Sequence, residues 1–275
     1  MIRLTGFADE ISKDLTEQLD VLESESMRFL ELRGVWGKNV STFTDDEVSQ
    51  IRDTLQARNV GVSCIGSPIG KIGINDPFEP HLELLGRVLD IAEALDTKYV
   101  RIFSFYIPKG EDPAKYRNEV MARMRRMVEL AASRDFVLLH ENESGIYGDV
   151  AARCADILST INSPHLRAIF DPANFVQAGQ RPFAECWDLI QPYLEYMHIK
   201  DAVMETRKVV PAGEGDGNLK EIVGRLKEMN FSGFTSLEPH LSVAGRMSGF
   251  SGPELFKTAV RAFKKLLDDA GIAWS

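Results

Sequence analysis

Four short apolar runs in the second half of the chain end in groups that can carry protons or bind cations. Val137-Leu138-Leu139 leads into His140-Glu141-Asn142-Glu143-Ser144-Gly145, and Ala168-Ile169-Phe170 leads into Asp171. Tyr196-Met197 leads into His198-Ile199-Lys200-Asp201, and Thr235-Ser236-Leu237 into Glu238-Pro239-His240. Residues two apart in a strand face the same side, so Glu141 travels with Glu143, and His198 with Lys200. Glu141, Asp171, His198 and Glu238 hold equivalent places, each close to the end of its run. Three carboxylates brought together in a low-dielectric pocket repel strongly unless a cation neutralises them. One divalent ion held by three oxygens and an imidazole resolves this; the donor set favours Mn²⁺ or Mg²⁺ and is compatible with Co²⁺ or Zn²⁺. Any one of these acids alone could equally pair with Lys or Arg at a pocket rim. Four in register favour the metal.

The elements that must position these groups alternate regularly. Apolar strand patterns span residues 2–7, 29–33, 60–65, 99–103, 137–141, 166–171, 193–199 and 234–238. Amphipathic helical patterns follow at 15–25, 45–58, 80–94, 113–133, 150–161, 182–191, 219–229 and 253–269. Thr44 ahead of Asp45-Asp46-Glu47, and Pro at or near the start of several helices, are helix-start signals. Eight strand–helix units in this length predict a (β/α)₈ TIM barrel, expected as a single α/β domain over residues 1–275. A doubly wound sheet would place a glycine-rich dinucleotide loop after the first strand, and Gly6-Phe7-Ala8-Asp9-Glu10 lacks it. Strand ends form the active face of such barrels, and here they are the polar ends: Asp9 and Glu10, Glu31 and Arg33, Ser63 and Ser67, Arg101 and Ser104 join the four groups above.

Composition narrows the function. With 44% hydrophobic and 27% charged residues the chain has an ordinary globular balance. A net charge of −9, with no Lys/Arg run longer than two, argues against a nucleic-acid partner. Cys64, Cys154 and Cys186 are far apart and lack metal-finger spacing, which fits a reducing compartment. The first residues read as a strand and no apolar run reaches spanning length, so a cytoplasmic protein without a membrane partner is expected. The sequence leaves a homo-oligomer open.

Together His140-Glu141-Asn142-Glu143, Phe170-Asp171-Pro172-Ala173-Asn174, His198-Ile199-Lys200-Asp201 and Leu237-Glu238-Pro239-His240 resemble the sugar phosphate isomerase/epimerase superfamily of xylose isomerase-like TIM barrels. That superfamily also holds ketose 3-epimerases, inosose dehydratases and metal-dependent abasic-site endonucleases. The resemblance covers nearly the whole chain and implies a single divalent ion on Glu141, Asp171, His198 and Glu238. Members often carry His where this chain has Glu143 and Asn174. The departure argues against extra ions and so against the three-zinc endonuclease branch, which also needs histidines after the third and fourth strands. Ser63, Gly66 and Ser67, then Arg101, Phe103 and Ser104, stand there instead.

Glu141 and Glu238 lie on well-separated strands and can approach a central substrate from different sides. One removes a proton next to a carbonyl and the other returns it, through an enediolate. Lys200 and His240 are candidates for binding the substrate oxygens, with Arg33, Lys71 and Glu143 from other loops and Trp36 or Phe105 as covers for an apolar sugar face. His140 should point to the helices and serve structure. The loop Pro211-Ala212-Gly213-Glu214-Gly215-Asp216-Gly217 reads either as a phosphate cradle or as a glycine-permitted turn. Glu214 and Asp216 would repel phosphate, which favours an unphosphorylated sugar, cyclitol or keto-acid sugar. The leading expectation is a metal-dependent isomerase or epimerase of a small polyhydroxy carbonyl compound. An inosose-type dehydratase is the alternative, ahead of an endonuclease or a non-catalytic sugar-binding barrel.

Overall fold

The computed structural model describes residues 1–244 and 249–275. Its core is one sheet of eight strands: β1 (Arg3–Gly6), β2 (Phe29–Leu32), β3 (Gly61–Ile65), β4 (Tyr99–Ile102), β5 (Val137–Glu141), β6 (Leu166–Phe170), β7 (Leu194–Ile199) and β8 (Phe234–Leu237). All neighbouring pairs are parallel, in the order β1-β8-β7-β6-β5-β4-β3-β2. A bridge between Phe7 and Glu31 draws β1 to β2 and all but closes the ring. Helices α1 (Leu15–Ser24), α2 (Asp45–Arg58), α3 (Glu79–Ala94), α4 (Arg117–Ala132) and α5 (Ala151–Ile161) follow the first five strands. The sequence-predicted barrel is therefore the observed fold, and most element boundaries agree to within two residues.

Alternation explains the layering inside. Phe29, Cys64, Tyr99, Val137, Leu139, Ile169, Tyr196 and Phe234 cluster within the barrel near the N-terminal ends of the strands. There the Arg3 guanidinium lies 3.7 Å over the Phe234 ring. Above them the hydroxyls of Thr5, Ser63 and Tyr196 form a chain with links of 2.8 and 3.0 Å. At the C-terminal mouth the inward groups are mostly ionisable, Glu31, Arg101, Glu141, Asp171, His198 and Glu238, while β1 presents the Phe7 ring, 5.2 Å from that of His198 and beneath the Arg33 and Arg101 guanidiniums.

The connections after β6 depart from the sequence reading. A short helix, α6 (Pro172–Gln177), begins directly at Asp171. The helix expected over 182–191 is instead a π-helical turn (Pro182–Cys186), a single α turn (α7, Trp187–Ile190) and a 3₁₀ turn (Gln191–Tyr193). Likewise, Pro113–Tyr116 is a 3₁₀ turn leading into α4. Helices α8 (Leu219–Glu228) and α9 (Pro253–Asp269) follow β7 and β8. Three two-stranded ribbons decorate the mouth: Gly34–Val35 with Lys38–Asn39, Asp201–Ala202 with Val209–Val210, and Val243–Ala244 with Gly249–Phe250. Among the described residues no helix is long and apolar enough to cross a membrane.

Candidate metal centre

The end of β5 meets the end of β6 through an amide clamp. Asn142 donates from Nδ2 to the carbonyl of Asp171 and accepts from the Asp171 N–H, both at 3.0 Å. Asp171 Oδ1 caps α6 by accepting from the Asn174 N–H at 2.9 Å. The Asn174 amide donates to the Asn142 carbonyl at 2.8 Å and lies 3.4 Å from Glu141 Oε1. These contacts leave Asp171 Oδ2 pointing at the β7 and β8 groups.

Across the barrel, His198 is gripped from both ring nitrogens. Nε2 is 3.2 Å from Glu31 Oε2, while Nδ1 is 2.9 Å from Glu141 Oε1 and 3.7 Å from Glu238 Oε2. Glu31 Oε2 in turn accepts from the Tyr196 hydroxyl at 3.0 Å. A register shift between Leu30 and Glu31 falls at this point in β2. Lys200 Nζ lies 2.9 Å from both Asp171 Oδ2 and Glu238 Oε2. Arg101 Nη1 lies 3.2 Å from Glu141 Oε2, and Arg33 Nη1 lies 3.1 Å from Glu238 Oε1 while its Nε donates to Asp9 at 2.8 Å.

Ligand atoms of Glu141, Asp171, His198 and Glu238 all lie within 4.8 Å of one another, and all four residues are buried. The donor set fits a divalent ion. One His198 nitrogen faces the carboxylates and the other faces Glu31, an arrangement that would fix the tautomer once a bound cation displaced the proton between His198 and the carboxylates. Among the described residues, Glu141 Oε2 and Glu31 Oε1 are buried without a hydrogen bond. Around the four groups, six buried or nearly buried acids (Asp9, Glu10, Glu31, Glu141, Asp171 and Glu238) meet, among the described residues, Arg33, Arg101 and Lys200 as permanent cations. A second grouping, Glu10 with Glu238 and His240, shares Glu238 with the first and has the Arg33 guanidinium against it, 3.1 Å from Glu238 and 3.9 Å from Glu10.

The same contacts set the acidities. Burial would raise the Glu141 carboxyl, but His198 and Arg101 overcome it and hold it at about 2. Burial likewise opposes ionisation of Glu238, and Lys200, His240 and His198 hold it well below the ordinary value. Asp171 is pushed up to about 6 by burial and by Glu141 and Glu238, against the pull of Lys200. Burial depresses His198, yet Glu141 and Glu31 raise it to about 10. Both glutamates are therefore ionised at neutral pH, as proton acceptors must be.

Of the residues expected to bind substrate, Arg33, Lys200 and His240 join the cluster. His240 Nε2 is 3.2 Å from Glu10 and 3.5 Å from Glu238. Lys71 and Glu143 pair with each other at 3.1 Å, with the ammonium 4.3 Å above the Phe103 ring. Trp36 is half-buried, edge-on to Phe43, and packs against the hydrophobic core from outside. Phe105, expected as a cover, is wholly buried against Phe78 and cannot meet a ligand. Glu31, Arg101 and Asn142 went without a role in the sequence reading. Glu31 shares its inward face with Arg33 and could have been found by the same two-residue period. His140 faces outward as expected, with its ring against Gly148 and both nitrogens unpaired among the described residues.

The glycine loop wraps an internal anion. Asp201 Oδ2 accepts from the N–H groups of Gly213 and Gly215 at 2.8 and 3.0 Å, and Oδ1 from those of Gly217 and Ala202 at 2.8 Å each. The cradle thus holds a carboxylate of its own chain.

The family profile described as xylose isomerase-like TIM barrel matches residues 20–266. This chain belongs to that family. Among its relatives, the 3-dehydroshikimate dehydratase of Bacillus anthracis is 21% identical over 226 residues, covering 76% of this chain and 79% of that protein. The 2-epi-5-epi-valiolone 7-phosphate 2-epimerase of an Actinoplanes species is 23% identical over 192 residues, covering 70% and 69%. A xylose isomerase-like TIM barrel protein of Mycobacterium smegmatis, solved in complex with magnesium, superposes with a TM-score of 0.72 at 16% identity, covering 98% of this chain and 97% of that one.

Proposed function

We propose that this xylose isomerase-like barrel is a divalent-metal-dependent isomerase or epimerase of a small sugar or related polyhydroxy carbonyl compound, with the ion on Glu141, Asp171, His198 and Glu238. The observation that carries the reading is the set of four buried ligand atoms within 4.8 Å, two of them on ionised glutamates from separated strands. The relative solved with magnesium supports a hard divalent ion, Mg²⁺ or Mn²⁺. When bound, the ion supplies Lewis-acid charge to the oxygens of the reacting carbons. Glu141 or Glu238 takes the proton from the carbon beside the carbonyl; the C–H electron pair moves into the enediolate, and a carboxyl returns a proton to the same or the neighbouring carbon. Lys200 and His240, beside Glu238, donate hydrogen bonds to the developing oxyanion. Arg33 and Arg101 hold the outer oxygens of the two glutamates and so orient the bases. The Asp201-filled loop supports an unphosphorylated substrate.

A second reading, dehydration of a cyclitol-like substrate, is favoured by the dehydratase relative. It shares the proton abstraction and differs in expelling the β-hydroxyl. Incubation of metal-loaded protein with a panel of ketoses and inososes in D₂O tests both. Deuterium should appear beside the carbonyl, and the product identifies epimerisation, isomerisation or loss of water. Glu141→Gln and Glu238→Gln should each lower turnover by ~10²–10⁴-fold, the range for losing a general base. Turnover without solvent deuterium would replace proton transfer by a hydride shift, and full activity in both variants would overturn the two-glutamate scheme.

A further inference from the structure

A cleft of about 630 Å³ opens off the acid cluster on the side of β1, β2 and β3. Arg33 forms its inner end and touches Glu238, whereas Glu141, Asp171, His198 and Lys200 do not line it. A reacting unit held at those four groups therefore leaves the cleft unfilled. Its volume falls in the ~300–1,000 Å³ range of sites that enclose ligands larger than one sugar ring.

The walls are built rather than incidental. Phe250 is 42% exposed, and its cross-strand partner Val243 is 57% exposed, so this ribbon presents an apolar surface that the described residues leave largely uncovered. The ribbon is anchored at its base: the N–H groups of Ser251 and Gly252 donate to the Glu10 carbonyl at 3.0 and 2.8 Å, and Ser251 Oγ donates to Glu10 Oε2 at 3.0 Å. Opposite it, Asn39 Oδ1 accepts from the N–H and Oγ of Ser41 at 3.0 and 2.8 Å, which fixes both side chains on the rim. Of the cations lining the cleft, Arg33 is neutralised by Asp9 and Glu238 and Lys38 by Glu47, while Lys13 has no ion pair among the described residues. An aromatic face opposite fixed amide and hydroxyl groups suits a ring with one C–H face and several hydroxyls.

We propose that this cleft is a second sugar subsite: the substrate carries a further sugar ring, linked to the reacting unit, which packs on Phe250 and hydrogen-bonds to Asn39 and Ser41. The inference deepens the proposed function and rests on it for the place of the reacting unit. The test reads binding alone, so that it stands apart from turnover. Methyl glucosides, methyl α-maltoside and methyl β-cellobioside, none of which has a carbonyl to react, are titrated into magnesium-loaded protein by calorimetry and saturation-transfer NMR. At least one two-ring glycoside should bind about tenfold more tightly than either one-ring glycoside, equal to about 1.4 kcal/mol. In Phe250→Ala the advantage should vanish at unchanged metal content, and Phe250→Trp should keep it. Equal affinity for one and two rings, or an advantage that survives Phe250→Ala, overturns the subsite. Absence of deuterium exchange with every carbonyl substrate would instead count against the reaction itself.

Discussion

Lys200 is the residue on which the candidate site turns, because its ammonium lies 2.9 Å from two of the four proposed ligands. A fixed positive charge so close to a divalent ion repels it, and the same charge holds Asp171 and Glu238 together when no ion is bound. Lys200→Met should therefore tighten metal binding by at least about tenfold in chelator competition and lower the melting temperature of the metal-free protein. Unchanged affinity would mean that the ammonium moves away before the ion arrives. His140 carries a prediction of its own. Burial pushes its imidazole down to about 4 from an ordinary 6.5, with only Glu141 opposing. Between those values the unfolded chain binds a proton that the folded chain refuses, so stability falls as pH drops from about 6.5 towards 4, by about 2 kcal/mol at pH 5. Urea unfolding of metal-free wild type and His140→Leu at pH 7.5 and pH 5 should show the variant losing correspondingly less; parallel losses would remove His140 as the cause. Glu141, Asp171, His198 and Glu238 were legible in the sequence because each closes an apolar run. Glu31, Glu10 and Arg101 were visible as strand-end groups, but their partners lie across the barrel, and no local spacing reports a contact between residues 31 and 198.

Strands and helices were legible for the same reason that they form: period-two runs bounded by helix-start signals, such as the Thr44/Glu47 capping box that the structure contains. The segments between β6 and β7 were not. Phe170-Asp171-Pro172 reads as a strand running into a loop, yet Asp171 caps a helix of six residues whose apolar face is too short to show a period. The loop from Pro211 to Gly217 was open between two readings, because its glycines serve either. The Asp201 carboxylate decides between them by occupying the N–H groups that a phosphate would need. A Cβ at Gly215 or Gly217 would come within 2.4 or 2.6 Å of Asp201 Oδ1, and Gly213 has φ +89°. Asp201→Ala orphans four inward N–H groups and should cost about 2–4 kcal/mol in urea unfolding, with Gly217→Ala similarly damaging. Inorganic phosphate should leave the stability of the wild type unchanged. Stabilisation by phosphate that disappears in Gly217→Ala would return the loop to the role of an anion site.

On the scale of the whole barrel, the two ends divide the work. The N-terminal end is closed by apolar side chains under the Arg3 guanidinium, and among the described residues the C-terminal end gathers acids in excess of permanent cations. This polarity was implicit in the sequence, where strand starts are apolar and strand ends polar. Its energetic consequence required the structure, in which Arg33, Arg101 and Lys200 answer the acids among the described residues. Concentrating like charge in a buried mouth opposes folding, and a ligand that binds only the folded state offsets the opposition by mass action. A divalent ion at 100 times its dissociation constant should stabilise the fold by about 2.7 kcal/mol. For a domain of this size that corresponds to a rise of about 5 °C in melting temperature. Scanning calorimetry with Mn²⁺ or Mg²⁺ against chelator measures it directly, on protein shown by elemental analysis to be metal-free at the start. In Asp171→Asn the rise should shrink to a small fraction, since that variant removes one ligand charge while keeping an oxygen to cap α6. A wild-type melting temperature indifferent to both ions, or an undiminished rise in Asp171→Asn, would mean that the four residues at the mouth do not form the cation site.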